Sequence, residues 1–334
     1  MASYIGRRKF LTALGGAAAA WPLAARAQRG ERMRRIGVLM DVAEENPAAK
    51  GWVEAFEMQL GVAGWQKGRN LEITYRWGAS DPERLARYAQ ELVQSGPDVL
   101  MVHGTPALIP LRQLTTTIPI VFTAVSDPVS QGFVTSVSRP GGNLTGFSNF
   151  DADIGTKWLQ LLKDIVPSVK QVNVMFNPRT SPYNLLFMRS IEAAAPSFGV
   201  LASQASVHNE DDIRRAINVL EAGSDGALIV PSDPFTHDHA ALIASLATTS
   251  RLPGVYAFAR FAHNGGLVAY GIDLDEQLPK AGEYVARILR GAKPGELPIQ
   301  APTWFRMTIN LKSAKTLNLQ VPSTLLALAD EVIE

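Results

Sequence analysis

The chain has 334 residues, 46% hydrophobic and 19% charged, which is enough for a well-buried core and, at roughly 150 residues each, about two domains. Its net charge of +1, with both signs mixed along the sequence, offers no concentrated basic face for nucleic acid. The absence of cysteine excludes a disulfide framework, thiol catalysis and thiolate metal sites.

The N-terminal stretch GRRKFLTALGGAAAAWPLAARAQ pairs Arg7 with Arg8, follows them with a mildly apolar core from Phe10 to Leu23, and ends in the small-x-small run Ala25-Arg26-Ala27. It is too short and too weakly apolar for a membrane span, which needs about 20 apolar residues. The pattern predicts an export signal of the twin-arginine class over residues 1–27, cleaved near Ala27. The mature chain would then start near Gln28 in the periplasm. No cysteine at that site could carry a lipid anchor.

From Arg34 short apolar runs alternate with amphipathic segments. RIGVLM predicts a strand, and Lys50 to Gly61 a helix with Val53, Phe56 and Leu60 on one face. NLEITYRW, PDVLMV and IPIVFTA predict further strands, separated by helices over DPERLARYAQELVQSG and PALIPLRQL. Asp81-Pro82 opens the first of these helices and Gly96 closes it. Ser126-Asp127-Pro128 carries the same helix-opening signature, and Ser232-Asp233-Pro234 repeats it. After GGNLTGFSNF the alternation restarts, with strands at QVNVMF, VLASQAS, GALIVP and LPGVYAF and helices from Tyr183 to Ala195, Glu210 to Leu220 and Asp238 to Thr248. Strands alternating with helices imply parallel sheets covered on both faces, so the fold class is α/β with two doubly wound, Rossmann-like lobes.

The tail, one long helix closed by Gly291 and then a strand and a short helix, is too little for a third domain. It predicts chain that returns to the first lobe and crosses again, a multi-strand hinge. The expected division is lobe 1 over 33–148 plus about 274–301, and lobe 2 over 149–273 plus about 302–334.

The segments RRIGVLM, PDVLMVHGTPAL, IPIVFTAVSDPVSQGFV, RPGGNLTGFSNF, NVMFNPRTSPYN and INLKSAKTLNLQVPSTLLALADEVIE, in this order, resemble the periplasmic substrate-binding proteins of ABC transporters, in the branch that includes tryptophan- and tyrosine-binding members. The resemblance spans Met33 to Glu334. It implies a type I binding-protein fold with three crossover strands and a trapped small ligand, a permease in the inner membrane as partner, no cofactor and no catalysis. A monomer is expected.

In open α/β sheets ligands sit beyond the carboxyl ends of the strands, where helix N-termini favour carboxylates. Thr105 and Ser126 stand at two such ends and are the candidates for an acidic ligand group; Asp127 beside them is a second candidate or a cap. From the second lobe Asn177, Ser181, Tyr183, Ser232, Asp233, Tyr256 and Asp273 complete the expected set. Asp233 and Asp273 could meet an amino group, Asp273 alternatively capping the following helix. Phe147, Phe150, Tyr183 and Tyr256 could sandwich a flat ligand or fill the core, and the resemblance favours binding for Phe147, Tyr183 and Tyr256.

His237-Asp238-His239 has the wrong spacing for two imidazoles on one face and reads as a solvated helix end rather than a metal site. RPGGNLTG precedes a strand and cannot open a phosphate-binding helix. An exported α/β hydrolase or transferase using the same cleft is the alternative reading. A sensory regulator lacks its DNA-binding module. The sequence does not name the ligand beyond an amino acid or small organic acid, aromatic ones leading.

Overall fold

The computed structural model describes residues 32–221 and 225–334; the expected export signal lies outside them. In chain order the first lobe comprises β1 (Arg34–Met40), α1 (Ala49–Val62), β2 (Leu71–Trp77), α2 (Pro82–Gln94), β3 (Val99–His103), α3 (Thr105–Leu114), β4 (Ile120–Val125) and β5 (Leu144–Ser148). Its five strands are parallel, in the order β2-β1-β3-β4-β5. β1 buries residues on both faces, as a strand between two helical layers must. Ile36, Val38 and Met40 pack toward Phe56 and Leu60 of α1, while Leu39 meets Leu85 and Leu92 of α2 and Leu108 of α3.

The second lobe continues through α4 (Ile154–Ile165), β6 (Gln171–Phe176), α5 (Asn184–Ala194), β7 (Leu201–Ser206), α6 (Glu210–Glu221), β8 (Gly226–Val230), α7 (Pro234–Asp238), α8 (Ala240–Thr249), β9 (Gly254–Tyr256), α9 (Ala259–His263) and β10 (Val268–Gly271). The chain then returns as α10 (Gln277–Leu289), which lays Leu278, Ala281, Val285 and Leu289 on the first lobe's core beside α1. Gly282 permits that approach, since a Cβ there would stand 3.1 Å from the Phe56 carbonyl oxygen. Finally β11 (Arg306–Asn310), α11 (Leu311–Thr316), α12 (Ser323–Leu328) and β12 (Glu331–Ile333) complete a seven-stranded sheet in the order β12-β11-β10-β9-β8-β6-β7. Only the β10–β11 pairing is antiparallel among the described strands.

Two local expectations are corrected. In α1 the buried stripe is Ala49, Trp52, Phe56 and Leu60, with Val53 only half-buried, because the i, i+4 row through Trp52 faces the sheet. Ser126-Asp127-Pro128 opens no helix. Asp127 adopts φ 35°, outside the extended backbone of a helix cap, and its carboxylate accepts from Ser130 N (3.0 Å) and Ala152 N (3.3 Å), closing a turn. The second copy behaves as its sequence indicates: Asp233 caps α7, accepting from Phe235 N at 3.0 Å.

The chain passes between the sheets around Asn149, around Asp273 to Glu276, and along Ala301 to Phe305. Gln277 is 7% exposed and ties the crossings to β4 and β5: its Oε1 accepts from Ala124 N (2.7 Å) and its Nε2 donates to Ser148 O (3.0 Å). Ala124 itself has φ 54°, a strained value for a residue with a Cβ, where β4 and β5 slip register. Asn149 Nδ2 donates to Ala124 O (3.2 Å) and also lies 3.3 Å from Ser232 Oγ in the second lobe.

Candidate ligand-binding cleft

The carboxyl ends of β1, β3 and β4 face those of β6 and β8 across a cavity of about 30 Å³, room for about one water. Its apolar wall is made by Val42, Trp52, Phe258 and Leu274. Trp52, His237, Phe258 and Leu274 also border a wider recess of about 680 Å³, where Arg260 stands half-buried. The small cavity is therefore the inner end of a larger cleft.

Asp41 and His103 are the residues immediately beyond β1 and at the end of β3. Their side chains are 4% exposed, and His103 Nδ1 lies 2.7 Å from Asp41 Oδ1. Room for this pair comes from Gly104, at φ 88°, where a Cβ would stand 1.8 Å from Asp41 Oδ2. Trp52 stacks on the imidazole with ring centroids 4.7 Å apart and planes 23° apart, and its indole N–H donates to Asp275 in the crossing segment. His103 Nε2 is buried and has no hydrogen-bond partner among the described residues.

Opposite them, Asp233 accepts from Asn177 N (2.6 Å), Ser181 Oγ (2.9 Å), Phe235 N (3.0 Å) and Thr180 Oγ1 (3.3 Å). Burial pushes its carboxyl up to about 6, with those donors acting in the other direction. Three of these donors converge on Oδ1 and one on Oδ2, so Asp233 knits the loops after β6 and β8 together while Oδ2 keeps a free acceptor site. Asn177 and Ser181 serve the same network, Asn177 Oδ1 also accepting from Arg179 N (3.0 Å). Tyr183 lines the cavity, donates to Ser232 O at 3.3 Å, and is raised well above the usual phenol range by burial, with Asp233 and Asp41 adding.

Of the residues expected from sequence, the structure brings Tyr183, Ser232 and Asp233 to the cavity wall. Thr105 lies close enough to Tyr183 to act on its phenol, and its Oγ1 accepts from Ser126 N (2.9 Å). The Ser126 hydroxyl is buried without a partner among the described residues. Two others lie elsewhere. Phe147 packs on Tyr284 in the first lobe's core, centroids 5.0 Å apart. Tyr256 stacks on Phe261 at 4.8 Å inside the second lobe. Asp273 borders the wider recess, where it caps a short 3₁₀ turn, accepting from Asp275 N (3.0 Å), and pairs with Arg306 at 3.2 Å.

Sequence reading missed Asp41, Trp52, His103, Asn149 and Phe258, although Asp41 and His103 occupy the strand-end positions that singled out Thr105. It also misjudged His237. Among the described residues no group of three metal-ligating side chains occurs, but this ring is only partly solvated: it sits edge-on to Phe258 at 5.3 Å and its Nδ1 is buried without a partner. Burial, with Arg260 and His103 nearby, pushes its pKa down to about 3.

Two α/β lobes of the type I periplasmic binding fold, joined by three crossings and sealed around a cleft, define a solute-binding receptor. The chain belongs to the ABC transporter substrate binding protein family, whose model matches residues 35–333. It is 27% identical over 293 residues to a tyrosine-binding protein of Clostridioides difficile strain R20291, covering 87% of this chain and 82% of that one. Among solved structures it resembles an ABC domain in complex with L-Trp from Streptococcus pneumonia (24% identity, TM-score 0.79, 90% of this chain and 99% of that one). It also resembles the ligand-free, open form of a substrate binding protein with adhesive properties from Clostridium difficile (26% identity, TM-score 0.64, again 90% and 99%).

His237 gives the fold a specific acid response. Its pKa of about 3 lies below the ordinary 6.5, so folding disfavours its charged form. The stability it contributes is complete above pH 6.5 and is lost as pH falls from there toward 3. Thermal melts of the wild type and His237→Gln should differ by a constant amount above pH 7. Below pH 6.5 the wild type should lose up to about 1.4 kcal/mol per pH unit relative to the variant. A difference that stays flat from pH 8 to pH 4 would contradict the assignment.

Proposed function

We propose that this receptor works in the periplasm, closes on an aromatic amino acid, and delivers it unchanged to an ABC permease in the inner membrane. The observation that carries this reading is the cavity wall, which Trp52 lines from the first lobe and Tyr183 and Phe258 from the second, with few free polar groups. Flat rings gain most from such a wall, through area burial and edge or offset ring contacts. The tyrosine-binding relative and the L-Trp-bound neighbour support the same ligand class.

The polar groups of the ligand are assigned to the first lobe. A desolvated ammonium needs a carboxylate, and Asp41, which lines the cavity beside His103, is assigned that role. The carboxylate is assigned to the free Ser126 hydroxyl. No group among these is placed as a nucleophile with its own base, which supports binding without turnover. No helix of the described residues is long and apolar enough to cross a membrane, and a freely diffusing monomer suits the role.

A thermal-shift and calorimetric screen of the twenty amino acids tests the ligand class. L-Tryptophan or L-tyrosine at about 100 times its Kd should add about 2.7 kcal/mol of stability, with no response to L-aspartate or L-lysine. A response to charged or sugar ligands alone would overturn the aromatic reading. Export is tested separately: replacing Arg7 and Arg8 by Lys should leave the precursor in the cytoplasm, and mature protein in the periplasm of that strain would remove the twin-arginine assignment.

A further inference from the structure

We propose that His103 is the specificity-determining residue of the cleft: its Nε2 accepts a hydrogen bond from an N–H or O–H carried on the ligand's ring, so that indole and phenol side chains are preferred to a bare hydrocarbon ring. This deepens the aromatic amino acid reading and rests on it.

The imidazole is held on two sides. A carboxylate accepts hydrogen bonds, so Asp41 at 2.7 Å fixes the proton of that edge on Nδ1, and in the neutral ring Nε2 is left with its lone pair. Trp52, stacked 4.7 Å away, fixes the plane of the ring. His103 and His237 of the second lobe both line the cavity, and His103 Nε2 is buried with no partner among the described residues.

An oriented acceptor left empty inside an apolar wall is costly, and the cost is recovered when a ligand supplies the donor. Sites of this kind discriminate more sharply than apolar pockets, because an analogue lacking the donor leaves the buried acceptor unpaired. Neither other orphan near the cleft is so arranged. His237 has no carboxylate to set its tautomer, and the Ser126 hydroxyl rotates and lies at the end assigned to the ligand carboxylate.

The test is calorimetric titration at pH 7.5 with two matched pairs: L-tryptophan against 1-methyl-L-tryptophan, and L-tyrosine against L-phenylalanine. In the wild type the donor-bearing member of whichever pair binds should be about ten-fold tighter. His103→Leu should abolish that preference while still binding the ring, and His103→Gln, whose amide oxygen can reach a similar position, should restore part of it. An unchanged preference in His103→Leu would overturn the proposal. Melting curves establish that the variants fold. Should His103→Leu not fold, the wild-type ratios decide, since equal affinities within both pairs would also overturn it. Binding without preference refutes only the role of His103, whereas no binding of any of the four probes refutes the aromatic reading and this proposal together.

Discussion

A cleft that closes without water must satisfy the polar backbone at the carboxyl ends of two sheets from within the protein, and the arrangement of this molecule follows from that constraint. At the second lobe the solution is Asp233, a buried carboxylate that collects two backbone N–H groups and two hydroxyls from the loops after β6 and β8. At the first lobe it is Gln277, which returns from the far crossing to serve the strained Ala124 N–H and the Ser148 carbonyl. Truncating either side chain would leave several buried groups unpaired, at about 1–3 kcal/mol each. The same residues therefore set both the shape of the cavity and the path of the hinge.

Polar contacts from the first lobe and the crossings to the opposing residues are few and ordinary. Ser80 Oγ donates to Asp238 Oδ2 at 3.3 Å, Asn149 Nδ2 reaches Ser232 Oγ at 3.3 Å, and the Trp52 indole bonds to Asp275. Contacts of this kind contribute about 1 kcal/mol each or less at a partly solvated boundary. The burial of free nitrogens on His103 and His237 works against closure in the absence of a ligand. A ligand touching both lobes would shift any opening of the cleft by its differential affinity for the two forms.

Much of this was legible in the sequence because it depends on local pattern. The apolar runs at RIGVLM and PDVLMV became parallel strands, and Asp81-Pro82 began a helix with the Asp81 carboxylate on Glu83 N and Arg84 N. What failed depends on partners distant in sequence. Ser126-Asp127-Pro128 and Ser232-Asp233-Pro234 are alike as text, but Asp127 is drawn by Ala152 N into a left-handed turn while Asp233 caps a helix. Nor could the sequence show that Asp233 gathers donors from Asn177, Thr180 and Ser181, more than fifty positions earlier. Tyr256 carries a ring suited to a ligand, yet its strand turns it onto Phe261. Conversely, Asp41 and His103 are unremarkable separately, and only the adjacency of β1 and β3 makes them a pair.

The central claim is that two lobes close on a ligand held between their strand ends. Small-angle X-ray scattering of the mature protein with and without a saturating aromatic amino acid tests it most directly. The account predicts a smaller radius of gyration with the ligand than without it. A radius of gyration unchanged by a ligand that demonstrably binds would contradict it.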